Sequence, residues 1–142
     1  MNGEEHRVFE ARLAMLAETA AFVESFCSRH GIARTDTLRL TLIVEELFTN
    51  TVTHGHGGDR DASIGIALSA DAGEVSLIYE DTAPRYDPLA GFSTPPSALD
   101  ADVEARPIGG LGVFLVGQLV HDARYAYEEG RNRLWLKVRC TL

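Results

Sequence analysis

A chain of 142 residues with 45% hydrophobic and 24% charged side chains holds enough apolar material to close one core, and its composition excludes a disordered or fibrous polymer. A formal net charge of −8 excludes general binding to nucleic acid or to an anionic membrane, whose phosphates would be repelled over most of the surface, while leaving room for a local basic pocket. The longest mainly apolar run, LGVFLVGQLV from Leu111, is about half a bilayer span and is broken by Gly117 and Gln118, so no membrane-spanning segment is expected.

The opening MNGEEHRVFEARL lacks the apolar stretch of a secretory signal, which leads us to expect a cytoplasmic protein. Residues 7–11 (RVFEA) read as a short first strand, and residues 11–30 have helical periodicity with Gly31 as a stop signal. Thr35 or Asp36 is placed to cap a second helix, which runs through Leu38, Leu40, Ile43, Val44 and Leu47 until HGHGG ends it. Residues 62–70 and 74–80 alternate apolar and polar side chains around DAG, the pattern of an antiparallel hairpin. A long polar connection, residues 81–109, leads to a helix over residues 110–120, and a second hairpin, 123–129 and 133–140, brackets GRN. The order strand, helix, helix, two strands, helix, two strands predicts one α+β domain spanning residues 1–142, a sandwich with helices on one sheet face. Cys27 and Cys140 show no metal-ligand or redox spacing and are expected to be buried thiols in a reducing compartment.

Three segments carry candidate chemistry. In the second helix, Glu46 and Asn50 lie about 40° apart at the edge of the apolar stripe, while Glu45 points about 140° from Asn50. A carboxylate and an amide oxygen presented together can accept a proton and coordinate a hard cation such as magnesium, although a solvated acid beside a polar neighbour satisfies the same spacing. At the end of the third strand, alternation puts Asp81 on the face of Tyr79 and Leu77; an inward carboxylate needs a donor, which an exocyclic amine of adenine or its own turn would supply. In RPIGGLGVFLVGQLV, Gly109, Gly110 and Gly112 let backbone approach a ligand, and the helix that starts there aims free N–H groups at phosphate. The segment is not a dinucleotide fingerprint, which needs glycine where Leu115 stands. Nor is it a P-loop, because Gln118 and Leu119 replace the required Lys and Ser/Thr. His54 and His56 with Asp59 and Asp61 contain ligand-type side chains at no recognised metal spacing, and no dedicated metal site is expected there.

Together and in this order, EELFTN, EDTAPRYDP and RPIGGLGVFLV resemble the N, G1 and G2 boxes of the GHKL ATPase superfamily, most closely the anti-sigma-factor serine kinases. The resemblance implies a Bergerat fold: a mixed, mostly antiparallel sheet backed by helices, with Mg-ATP under a mobile lid, here residues 91–108. It implies that Glu46 is the general base, that Asn50 coordinates magnesium, and that Asp81 accepts the adenine amine. Gly109, Gly110, Leu111 and Gly112 would form the phosphate-contacting box, and Arg106 at the lid's end would meet the γ-phosphate. The implied protein is an ATP-dependent serine/threonine kinase that phosphorylates an anti-anti-sigma antagonist and sequesters a sigma factor, as a homodimer. One position departs from the pattern: Ala83 stands where the family has glycine, two residues after the acid. A methyl group there tolerates fewer backbone angles and crowds the purine, so weaker nucleotide binding is expected. A partner-switching module without catalysis, with ATP as a structural ligand or absent, is the alternative.

Overall fold

The computed structural model describes residues 3–93 and 110–140. Arg106, Gly109 and most of the expected lid lie outside those residues. The described elements are β1 (Glu4–Ala11), α1 (Leu16–Arg29), α2 (Arg34–Asn50), β2 (Arg60–Asp71), β3 (Glu74–Asp81), α3 (Leu89–Phe92), α4 (Gly110–Leu119), β4 (Asp122–Glu128) and β5 (Arg131–Arg139). The strands form one five-stranded sheet in the order β1-β2-β3-β5-β4. All four pairings are antiparallel, and no parallel pair occurs among the described residues. This is the expected α+β architecture.

Both hairpins close through two-residue turns in which each residue has positive φ: Ala72 (49°) with Gly73 (80°), and Glu129 (54°) with Gly130 (76°). That geometry matches the right-handed twist of the flanking strands. The second turn is therefore Glu129–Gly130 rather than the GRN that the sequence pattern suggests, and Asn132 belongs to β5.

One sheet face carries the core. Phe9 and Ala11 of β1, Ile64, Ile66 and Leu68 of β2, Val75, Leu77 and Tyr79 of β3, and Leu134, Leu136 and Val138 of β5 are buried at period two. Against them lie Val23, Phe26 and Cys27 of α1 and Leu40, Ile43, Val44, Leu47 and Phe48 of α2, spaced at helical period. Phe9 meets Phe22 and Phe48 edge-on at 6.0 and 6.4 Å, which ties the edge strand to both helices. The opposite face is dressed by long polar side chains: Glu80 accepts from Arg131 and Arg133 at 2.7 and 2.6 Å, and the Arg124 guanidinium lies 4.3 Å over Trp135. Burial raises the carboxyl of Glu80, but the two arginine hydrogen bonds outweigh it and hold the group below its ordinary range. No helix among the described residues is long and apolar enough to cross a membrane.

Several boundaries differ from the sequence expectation. The cap of α2 is neither Thr35 nor Asp36 but Ala33, in extended conformation with no side-chain bond. Gly31 closes α1 at φ 67°, the N–H of Ile32 returns to the Cys27 carbonyl at 3.0 Å, and Ile32 is buried. The chain therefore enters α2 at Arg34, leaving Asp36 inside the first turn, where it pairs with Arg39 at 2.8 Å. Asn50 is the last α-helical residue. Thr51–Gly55 forms a π turn closed by the His56 N–H on the Thr51 carbonyl at 2.8 Å, a distortion common at functional sites. Cys27 is buried, whereas Cys140 is only half-buried, with burial pushing its thiol up to about 11.

The short helix α3 has no counterpart in the sequence reading. It lies on α4 through two close approaches that only glycine permits. A Cβ at Gly91 would stand 2.7 Å from Val113 Cγ1, and one at Gly117 would stand 2.6 Å from the Cα and Cβ of Phe92. Gly91, expected to begin the lid, is thus part of a packed helical turn.

Candidate functional site

Below the ends of β3 and β5, between α2, α4 and the turn after β3, lies a cleft of about 220 Å³. Leu47, Val113 and Leu134 make it apolar, and Asn50, Asp81 and Asn132 supply convergent polar groups. The last two are the point where the core face changes character: Asp81 continues the buried series 75, 77, 79 of β3, Asn132 continues 138, 136, 134 of β5, and the two are cross-strand partners. They are 7% and 8% exposed, so each needs internal partners.

Those partners are present. Oδ1 of Asp81 accepts from the Ala83 N–H at 3.1 Å and from Asn132 Nδ2 at 2.9 Å; Oδ2 accepts from Thr51 Oγ1 at 2.8 Å. The Thr51 hydroxyl also lies 2.6 Å from that of Tyr79, which donates in turn toward the Leu47 carbonyl at 3.1 Å. Burial pushes the Tyr79 phenol well up, and the Asp81 carboxylate adds to this, so Tyr79 serves as a neutral donor. Asn132 Nδ2 further reaches the carbonyls of Ala83 and Pro84 at 3.0 and 3.2 Å, and its Oδ1 accepts from the Tyr86 N–H at 3.0 Å and the Tyr125 hydroxyl at 2.5 Å.

Asn50 lines the cleft, and its Oδ1 is buried without a hydrogen-bond partner, the state of an oxygen available to a hard cation. Glu46 does not line the cleft among the described residues. It is half-buried one helical turn earlier, with its carboxylate against Gly112 in the first turn of α4; a Cβ at Gly112 would lie 3.2 Å from Glu46 Cδ and closer still to Oε2. Gly112 therefore makes room for Glu46 as well as beginning the glycine-rich helix with Gly110. The side chain of Leu111 is 58% exposed and is not among the residues that line the cleft.

Ala83 lines the same cleft. Its φ is not positive, since Ala72 and Glu129 are the non-glycine residues with that conformation among those described, so no glycine-only backbone is required. Its methyl group packs toward Gly55, where an added Cβ would lie 2.9 Å away. The bare α-carbon at the end of the π turn accommodates the side chain that Ala83 adds.

Of the residues around the expected histidine-rich exit, His54 lines the cleft, Asp59 accepts the Leu13 N–H at 2.9 Å, and His56 buries an unpartnered Nε2. No group of three metal-ligating side chains occurs among the described residues. Asn132, Thr51 and Tyr125 were missed in sequence. Asn132 was open to discovery: the alternation that buries Leu134, Leu136 and Val138 also turns residue 132 inward.

An acid at a strand end, reached by the amide-bearing end of a long helix and faced by a glycine-rich helix start over an antiparallel sheet, is the arrangement of a histidine-kinase-like domain. Residues 9–138 match the model of the histidine kinase-like ATPase domain, and the chain belongs to that family. It is 36% identical over 97 residues to the serine/threonine-protein kinase BtrW of Bordetella bronchiseptica, covering 68% of this chain and 66% of that protein. It is 28% identical over 109 residues to the serine-protein kinase RsbW of Listeria innocua, covering 76% and 69%. The chain thus spans about two-thirds of these relatives. Among solved structures, the RsbU and RsbW domains of Rv1364c from Mycobacterium tuberculosis superpose with TM-score 0.64 at 20% identity, over 97% of this chain and 32% of that one. A chain of the SiaB–SiaC complex from Pseudomonas aeruginosa gives TM-score 0.60 at 12% identity, over 93% of this chain and 87% of that one. At these identities the structural likeness concerns the fold.

Proposed function

We propose that this chain is an ATP-dependent serine/threonine-protein kinase of the anti-sigma-factor type. On this reading it phosphorylates an anti-anti-sigma antagonist, sequesters a sigma factor, and acts in the cytoplasm as a homodimer of single-domain chains. The observation that carries the reading is the line of groups along α2 and the π turn. Glu46 stands at the glycine start of α4, Asn50 presents an unpartnered amide oxygen, and Thr51 braces the Asp81 carboxylate. With about 1.5 Å of rise per residue, a helix sets these groups in the order of a nucleotide's terminal phosphate, metal and base. The named kinases among its relatives support the same activity.

Asp81 would accept the amine of the adenine, and the apolar walls Leu47, Val113 and Leu134 would cover its faces. Asn50 Oδ1 would hold a magnesium ion, which when bound neutralises charge on the phosphates. Free N–H groups at the start of α4 would hold phosphate oxygens. Glu46 would take the hydroxyl proton of the acceptor serine as its oxygen bonds to the γ-phosphorus and the bond to the ADP oxygen breaks. Most of the rate would come from positioning.

The test is transfer of labelled γ-phosphate from ATP to a purified antagonist protein, with Glu46→Ala alongside. Transfer by the wild type that is lost in the variant supports the kinase; no transfer, or equal transfer by both, removes it. One observation favours the second reading, a non-catalytic partner-switching module: Glu46 is not in the cleft wall among the described residues. Calorimetry that finds ATP binding, followed by a transfer assay that finds none, would establish that reading.

A further inference from the structure

Asn132 bonds at once to the Asp81 carboxylate, to the turn after β3 and to β4, and neither the three boxes nor the comparisons give it a role. Its amide has one orientation, because the Tyr86 N–H can only donate and the Asp81 carboxylate and Ala83 carbonyl can only accept. Nδ2 therefore faces Asp81 Oδ1 and two carbonyls, while Oδ1 is held by the Tyr86 N–H and the Tyr125 hydroxyl. As a consequence the two oxygens of Asp81 differ. Oδ1 accepts two bonds, from Asn132 and Ala83, and is saturated; Oδ2 accepts one, from Thr51, and keeps a lone pair.

We propose that Asn132 is a positioning residue for base selection: by saturating one oxygen of Asp81 and pinning the Ala83–Tyr86 turn, it presents a single acceptor to the base. This rests on the nucleotide reading given above. One fixed acceptor suits a 6-aminopurine, whose exocyclic amine donates. A 6-oxopurine offers a carbonyl oxygen at that position, so two acceptors would face each other and a buried group would go unpaired. Without Asn132, Oδ1 keeps only its bond from the Ala83 N–H and regains a lone pair, so both oxygens of the carboxylate can accept from a base and the site discriminates less. Aspartate at 132 would be worse than alanine, because it would set a second carboxylate 2.9 Å from Asp81 Oδ1 and against two carbonyls.

The experiment is a titration of the full chain, with magnesium, by non-hydrolysable analogues of ATP and of inosine triphosphate, for wild type, Asn132→Ala, Asn132→Asp and Tyr125→Phe, with thermal melts of each. We expect the wild type to prefer the adenine analogue by on the order of 10–100-fold, the cost of an unpaired buried group. In Asn132→Ala the ATP-analogue affinity should fall by about tenfold and the preference should shrink toward parity. Asn132→Asp should lose more ATP-analogue affinity than Asn132→Ala. Tyr125→Phe, which removes one brace of the amide without touching Asp81, should narrow the preference by a smaller factor and keeps the test alive where a change at 132 prevents folding. A general loss of structure weakens both nucleotides alike and leaves their ratio unchanged. An unchanged ratio in Asn132→Ala, or in Tyr125→Phe where the former does not fold, therefore overturns this inference alone. A wild type that binds neither analogue overturns the nucleotide reading and this inference with it.

Discussion

Replacing Gly117 by alanine sets two effects of opposite sign against each other. In a helix interior alanine is favoured over glycine by up to about 1 kcal/mol, so propensity alone makes Gly117→Ala stabilising. The new Cβ, however, would stand 2.6 Å from the Cα and Cβ of Phe92 and press on its carbonyl oxygen. Backbone atoms cannot rotate out of the way as a side-chain tip can. Either α3 lifts from α4, taking buried Phe92 with it, or α4 shifts against the sheet where Val116 is buried. Overpacking of this kind costs about 1–3 kcal/mol, and contact with backbone belongs at the upper end; after the propensity gain, the net loss is about 2 kcal/mol. For a chain of this size that lowers Tm by roughly 4–8 °C. Calorimetric melts of the two proteins, with urea unfolding to check that the m-value is unchanged, measure it directly. A Tm for Gly117→Ala equal to or above the wild type would refute the reasoning and show that the α3–α4 contact is soft.

Gly112→Ala, on the same helix, should behave oppositely: its methyl meets the carboxylate end of Glu46, which can swing aside, so the melting temperature should hold while transfer to a protein substrate drops by at least about tenfold. Gly55→Ala should destabilise by about 1–3 kcal/mol through its clash with the Ala83 methyl, and Ala83→Gly in the same chain should recover most of that loss; additive effects in the double-mutant cycle would contradict the pairing. His56 supplies a pH dependence. Burial lowers its pKa below the ordinary value of 6.5, partly opposed by the Asp81 carboxylate and reinforced by Arg60. As pH falls through about 6.5 the unfolded chain takes up this proton before the folded one, so stability declines until the folded-state pKa is passed and then levels off. Urea midpoints between about pH 7.5 and 5.5 should show that decline in the wild type and a flatter profile in His56→Gln; parallel profiles would exclude His56 as the source.

Much of this architecture was written in local pattern. Period-two burial in LSADAGEVSLIYED and RLWLKV determined two hairpins and which of their side chains turn inward, Asp81 among them, and helical spacing put Glu46 and Asn50 on one side of α2. Those features follow from backbone geometry over a few residues, which is why one sequence suffices to read them. Tertiary structure alone decided the rest. Asp81 and Asn132 became partners through the register of β3 with β5, between residues distant in the chain. Ala83 was accommodated by Gly55 across the cleft, Glu46 came to rest on Gly112, and α3 exists as a turn docked on α4. Such contacts depend on how elements pack in space, and packing at native density is settled by shape and by the pairing of buried polar groups, quantities that no local periodicity contains.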